Sequence, residues 1–155
     1  MHSKAYTVTE VIRKLKTYCT YQERCHKEVV DKLKGFGMLP QTIDHILAHL
    51  IEENYLNEER FAKSFARGKF STKKWGKNRI VKELKLRSIS KFNITSALKE
   101  IPEHEYLETL HQLAQKRTRE IKEAHPLKRK KKLADYLLYK GWESDLVYEK
   151  IRELN

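Results

Sequence analysis

The chain has 155 residues, of which 39% are hydrophobic and 35% are charged, and its formal net charge at pH 7 is +12. This length allows one compact domain or a short row of small modules. No apolar run approaches the ~20 residues that a membrane-spanning helix needs, so we expect no membrane association. Such a strong positive charge predicts an anionic partner, either nucleic acid, an acidic protein surface or both.

The N-terminal residues and the cysteines favour a cytoplasmic protein. Met1–Lys4 leads into polar sequence without the apolar core of a signal peptide. Cys19 and Cys25 are the only cysteines, which is too few for a secreted disulfide scaffold of this length. We therefore expect reduced thiols and a cytoplasmic location.

Apolar residues recur at helical spacing along the chain, whereas strand-like alternation is nearly absent, and this pattern predicts an all-α fold. In chain order, three amphipathic segments come first. Their apolar faces are marked by Val11, Leu15 and Tyr18, then by Val29 and Leu33, and then by Ile43, Leu47 and Leu50.

The same pattern then occurs twice more. Leu33, Leu84 and Leu137 superpose at offsets of 51 and 53 residues. Gly37, Ser88 and Gly141 follow them by four positions, each with an apolar residue next, which is typical of a left-handed helix end. The other matching residues are Val29, Ile80 and Leu133; Met38, Ile89 and Trp142; Ile94, Leu98 and Ile101; and Val147, Ile151 and Leu154. The first helices of the two later copies are marked by Phe61 and Phe65 and by Leu107, Leu110 and Leu113.

We therefore predict three tandem three-helix units, at residues 1–54, 55–101 and 102–155. A unit of about 50 residues has a marginal core, so the units should lean on one another in an elongated or curved array. Asn57 is expected to cap the first helix of the second unit, with Leu56 packing onto Phe61. Cys25 is expected at a helix start, where serine would be the better cap. We expect a monomer.

No motif in the sequence points to catalysis, a cofactor or a metal. Gly68, Gly76 and Lys77 do not form a P-loop, because seven residues separate the glycines and Asn78 follows the lysine. The Cys and His residues lack the second pair that a zinc site needs. No arrangement of Ser, His and Asp resembles an activated nucleophile. We therefore predict a non-enzymatic protein.

Two basic clusters stand where the core helices of the second and third units begin, the latter after Pro126 as a first-turn residue. Cations there oppose the helix dipole at about 0.3–1 kcal/mol each, so their repetition favours an anionic partner over a merely solvated face. The candidate binding residues are Arg67, Lys69, Lys73, Lys74, Trp75, Lys77 and Arg79 in one cluster and Lys128, Arg129, Lys130, Lys131 and Lys132 in the other.

The middle of the chain closely resembles the signature of the RecX family of recombinase regulators. Two positions depart from the family pattern: Cys25 replaces a common serine and Ser88 a common glycine. The third repeat matches by architecture. The matching residues are Tyr55–Ala62, Phe65, Arg67, Lys74–Lys77, Arg79–Ile80 and Glu83–Leu84, with Arg24, Glu28–Val29, Lys32–Leu33 and Phe36–Gly37 in the first repeat.

The resemblance implies tandem three-helix repeats and a specific partner, the RecA-type recombinase filament on single-stranded DNA. It implies a role in homologous recombination, DNA repair and the SOS response. Family members occupy the filament groove and inhibit strand exchange, ATPase and coprotease activities. The alternative is a direct, sequence-tolerant DNA-binding protein that acts without the recombinase, with the aromatic and basic residues at 70–79 stacking bases and holding phosphates. Weak direct DNA binding is compatible with both.

Overall fold

A computed structural model describes residues 5–154, so the inference from Met1–Lys4 lies outside the described residues. Within 5–154 the chain is helical and has no strand, which confirms the predicted all-α class. None of the described helices is long and apolar enough to cross a membrane. The helices are α1 (Val8–Tyr21), α2 (His26–Gly35), α3 (Pro40–Glu52), α4 (Glu58–Gly68), α5 (Lys77–Leu86), α6 (Lys91–Leu98), α7 (Glu103–Glu120), α8 (Pro126–Tyr139) and α9 (Ser144–Glu153).

The helices form three units, as predicted: α1–α3, α4–α6 and α7–α9, here called the first, second and third units. A short π turn (Lys69–Lys73) extends α4. The predicted unit limits at 54/55 and 101/102 lie in the links between α3 and α4 and between α6 and α7.

The middle helix of each unit ends in the predicted left-handed residue. The φ angles are 74° at Gly37, 59° at Ser88 and 99° at Gly141. In each case the following amide donates a hydrogen bond to the carbonyl five residues earlier, which is the pattern of a Schellman motif. Ser88 adopts the strained conformation without the freedom of a glycine, so it carries the cost expected for this departure.

The helix starts agree with the sequence in part. The side chain of Asn57 accepts a hydrogen bond from the amide of Arg60 at 2.9 Å, as expected for a cap. Cys25 is the N-cap of α2, and its amide donates to the Glu28 carboxylate at 3.2 Å. The predicted contact of Leu56 with Phe61 is wrong. The amide of Leu56 closes the end of α3, so this side chain packs in the core of the first unit while Phe61 belongs to the other core.

Two hydrophobic cores hold the described residues together. The first unit has its own core, whereas the second and third units share one continuous core, which Cys25 joins from the start of α2. The expected buried face of α7 is correct at Leu110 and wrong at Leu107, because Leu107 is 40% exposed and Tyr106 is buried instead. Tyr106 is turned inward because its hydroxyl group has hydrogen-bond partners between the units.

Candidate functional site

The first predicted basic cluster lies at the joint between the second and third units. The π turn ends at Lys74, whose backbone is left-handed with a φ of 58°. Trp75 and Gly76 then lead into α5, whose first residue is Lys77. The predicted position of this stretch, at the entry to the core helix, is confirmed.

Backbone contacts across this joint are close. The amide of Gly76 donates to the carbonyl of Lys140, and the amide of Asn78 donates to the carbonyl of Gly141, both at 2.9 Å. A Cβ atom on Gly76 would lie only 2.4 Å from the carbonyl oxygen of Gly141. Glycine is needed at position 76 because the two units approach to backbone distance there.

Side chains complete the joint. The indole Nε1 of Trp142 donates to the carbonyl of Lys74 at 3.1 Å. The hydroxyl group of Tyr106 accepts from the amide of Lys77 at 2.8 Å and donates to the carboxylate of Glu143. Burial is the main reason that the pKa of Tyr106 lies above its usual value, and the hydrogen bond to Glu143 raises it further. The indole of Trp142 and the hydroxyl group of Tyr106 therefore both have hydrogen-bond partners within the joint.

The aromatic residues of the cluster belong to the core, which does not favour Trp75 as a partner contact. Trp75 and Phe70 are only 8% and 9% exposed. The Trp75 ring lies 6.3 Å from Phe65 and 4.4 Å from the Arg79 guanidinium, and the Phe70 ring lies 5.9 Å from Tyr106. Because their area is buried between helices, these rings cannot stack bases as the alternative function requires.

Arg129 also has a structural position. Its guanidinium donates to the carbonyls of Thr118, Ile121 and Glu123 at 3.0 to 3.1 Å. These carbonyls end α7 and begin the following link, so Arg129 satisfies acceptors that the helix end leaves free. Arg129 is therefore a poor candidate for a partner contact.

Other predicted cations form ion pairs within the chain. Such partly exposed pairs contribute little to stability, about 0–1 kcal/mol each, but they reduce the charge offered to a partner. The pairs are Arg67 with Glu100 at 2.6 Å, Lys77 with Glu103 at 3.7 Å, Lys131 with Asp135 at 2.8 Å and Lys132 with Glu123 at 3.3 Å.

Among the cations of the two predicted clusters, four exposed lysines are the most available. Within residues 5–154, Lys73, Lys74, Lys128 and Lys130 form no ion pair and are exposed. Lys69 differs, because its ammonium group lies over the rings of Phe65 and Trp75 at 5.5 and 5.3 Å. Within the two predicted clusters, the available charge is therefore concentrated at the π turn and at the start of α8.

Sequence reasoning missed a basic face on α5. Residues 55–101 hold 13 Lys and Arg against four Asp and Glu, a charge of +9 out of the total of +12. Asn78, Lys82 and Lys85 are all exposed, and their spacing of four and three residues places them along one helical face. A count of charge for each unit would have revealed this concentration.

Among residues 5–154, no group of three or more His, Cys, Asp and Glu side chains could hold a metal ion. His45 and His49 lie four residues apart on α3, a spacing that can place two histidines on one metal ion. His45 is exposed and His49 is half-buried, and both lie outside the apolar face of the helix.

Comparisons with known proteins agree on one family. The descriptions "RecX, second three-helix domain" and "RecX, third three-helix domain" match residues 57–98 and 103–151, which together exceed half of the chain. A regulatory protein RecX of Bacillus cytotoxicus is 27% identical over 89% of this chain and 51% of its own length. One from Oceanobacillus iheyensis is 26% identical over 98% of this chain and 54% of its own length. The chain thus spans about half the length of these curated relatives.

Solved structures show the same fold. The crystal structure of RecX from Lactobacillus salivarius has a TM-score of 0.82 and 26% identity, and the match covers 95% of this chain and 96% of that one. Another crystal structure of a regulatory protein RecX has a TM-score of 0.83 and 25% identity, covering 94% of this chain and 71% of the other.

Proposed function

The chain belongs to the RecX family of regulatory proteins, and from this premise we propose that it is a non-enzymatic negative regulator of a RecA-type recombinase. It binds the recombinase filament on single-stranded DNA in the cytoplasm, as a monomer, and inhibits ATPase, strand exchange and coprotease activities. The observation that carries this proposal is the charge of +9 on the second unit. The basic stretch of that unit also contacts the third unit, through backbone hydrogen bonds of Gly76 and Asn78.

A row of connected units suits a filament. The second and third units share a core, and the first is joined to the second by Arg60, which pairs with Glu23 and donates to the carbonyl of Asn54 at 3.0 Å. His26 and Glu58 meet across the same boundary at 3.2 Å. These links hold the units together, so the array can contact successive subunits of a polymer as one body. Because the units are already ordered relative to one another, binding costs little conformational entropy.

The mechanism is occupancy of the filament. The exposed lysines of the π turn and of the start of α8 contact acidic filament surface or DNA phosphates. While the array lies there, an incoming duplex is excluded and the turnover of subunits is slowed. Each phosphate contact releases counterions, so binding should weaken with increasing salt.

The first experiment adds the purified chain to its cognate recombinase on single-stranded DNA at a substoichiometric ratio. We expect lower ATPase and strand-exchange rates, because one array affects several neighbouring subunits. Unchanged rates of both reactions would refute the proposed function.

Charge reversal locates the contacts. One double variant combines Lys73→Glu and Lys74→Glu, and a second combines Lys128→Glu and Lys130→Glu. At least one double variant should raise the half-inhibitory concentration about tenfold, with helicity unchanged. A control with the same change in net charge on the first unit is Arg13→Glu with Lys34→Glu. Equal effects of all three double variants would mean that only net charge matters, and no effect of any would remove the site assignment.

A further inference from the structure

A recess lies beside the joint, between α5 and the end of α8, and the proposed function does not use it. Its volume is about 370 Å³, within the usual range for small-ligand sites. Asn78, Arg79, Lys82 and Glu83 of α5 line one side, and Tyr139 of α8 lines the other. The recess therefore combines charged groups with one aromatic ring.

Tyr139 ends a stack of three planar groups. The guanidinium of Arg79 lies 4.4 Å from the centre of the Trp75 ring and 4.8 Å from the centre of the Tyr139 ring. Arg79 also donates to the carbonyl of Tyr139 at 3.4 Å. Tyr139 is 72% exposed, so the ring face turned away from Arg79 is open to solvent. The stack fixes the ring at the edge of the recess and leaves room for one more planar group.

Cations gather around the same point. Lys82 lines the recess, and Lys140 lies in the chain between two lining residues, Tyr139 and Gly141. Burial lowers the pKa of Lys140, and the positive charges of Arg79 and Lys73 lower it further. No ion pair of these four cations occurs within residues 5–154. A bound anion would reduce the electrostatic repulsion between these like charges.

We propose that this recess binds one nucleotide of a single-stranded nucleic acid, with its base stacked on Tyr139 and its flanking phosphates held by Lys82, Lys140 and Lys73. The site acts without a recombinase and so goes beyond the proposed function. A single strand fits better than a duplex, because only an unpaired base can offer its face to the ring.

The chemistry of the recess favours nucleic acid over an acidic peptide. A peptide carboxylate cannot stack on the open face of Tyr139, so it would use only the cations of the recess. A base, in contrast, gains from stacking, and Asn78 and Glu83 can hydrogen-bond to its polar edge.

The test measures fluorescence anisotropy of a labelled thymidine oligonucleotide with the chain alone, in about 50 mM salt, where phosphate contacts are strong. Tyr139→Ala should weaken binding about 5- to 150-fold, the loss typical of one base–aromatic stack. Tyr139→Phe should bind like the original chain, since the ring remains. Tyr21→Ala is the matched control, because Tyr21 is 82% exposed on the first unit.

A second arm separates the base from its phosphates. An abasic oligonucleotide of the same length should bind the original chain as weakly as the thymidine oligonucleotide binds Tyr139→Ala. Lys82→Gln with Lys140→Gln should lower the slope of log affinity against log salt by about one for each phosphate released. Equal binding of abasic and thymidine strands, or of Tyr139→Ala and the original chain, would overturn the proposal. Polyglutamate that competed as well as the oligonucleotide would also overturn it and would assign the recess to an acidic protein. All these measurements omit the recombinase, so their failure leaves the proposed function untouched.

Discussion

Replacing Gly76 with alanine should loosen the third unit from the second. The backbone of Gly76 has a φ of −77°, which any residue can adopt, so the effect comes from the added methyl group alone. That group would lie 2.4 Å from the carbonyl oxygen of Gly141 and 2.5 Å from the Cα atom of Trp142, where ordinary contacts begin at 3.4 Å. Both close atoms belong to the backbone, so the units must separate by about 1 Å to admit it.

The energy follows from the contacts that this separation disturbs. Two backbone hydrogen bonds cross the joint, each worth about 0.5–1.5 kcal/mol, and the strain of overpacking is about 1–3 kcal/mol. We expect the free energy of unfolding to fall by about 3 kcal/mol. For a chain of this size, the melting temperature should then fall by about 6–12 °C.

Tryptophan fluorescence is the appropriate assay. The chain has two tryptophans, Trp75 and Trp142, and both lie at the joint, so their emission reports the docking of the third unit directly. In Gly76→Ala the emission should shift to longer wavelength as the joint opens to water. The matched control is Gly68→Ala, because a Cβ atom at Gly68 meets no atom within 4 Å. That variant should be neutral or more stable by up to about 1 kcal/mol. Original stability and emission in Gly76→Ala would refute this account of the joint.

Three further results are expected. Ser88→Gly should raise the free energy of unfolding in urea by about 0.5–1 kcal/mol, because the left-handed cost exceeds the entropy that glycine adds to the unfolded chain; lower stability would contradict this. Tyr106→Phe should lower the free energy of unfolding by about 1–3 kcal/mol in the same titration, because the Lys77 amide and the Glu143 carboxylate lose their shared hydrogen-bond partner. An unchanged free energy of unfolding would show that water replaces the hydroxyl group. Burial raises the pKa of Cys25 from 9.0 to about 11, so alkylation of its protonated thiol at pH 8 should be much slower in the folded chain than in urea. As the pH rises, the thiol of the unfolded chain ionises before the buried thiol does. The stability that the protonated Cys25 contributes should therefore be complete below pH 9 and disappear as the pH rises to about 11. Equal alkylation rates in the folded and unfolded chain, or a stability that does not change over this pH range, would contradict the burial.

Local signals in the sequence predicted the helix ends well. A left-handed stop depends on residues within one turn of the helix, so the superposition of Gly37, Ser88 and Gly141 was enough to place it. The caps at Asn57 and Cys25 were found for the same reason. Periodicity likewise identified the three-helix units, because each helix has one continuous apolar face.

Contacts between helices far apart in the sequence or in different units carried no such signal. Trp75 pairs with groups on α4 and α5, and Lys74 bonds to Trp142 in the third unit, 68 residues further along the chain. This basic stretch with one aromatic residue therefore resembled a binding surface, although several of its groups make contacts within the chain. Arg129 is a similar case, because the carbonyls that it contacts belong to the end of another helix and the link after it. Fewer of the predicted cations are available for a partner than the sequence suggested, and α5 adds the exposed Lys82 and Lys85.

Retention of the chain on recombinase filaments tests the central claim most directly. Filaments assembled on single-stranded DNA, bare single-stranded DNA and recombinase without DNA are each sedimented with the purified chain at physiological salt. The account predicts retention on the filament at concentrations where the two separate components retain little, because the array contacts several neighbouring subunits at once. Equal retention on bare DNA, or none on the filament, would contradict it.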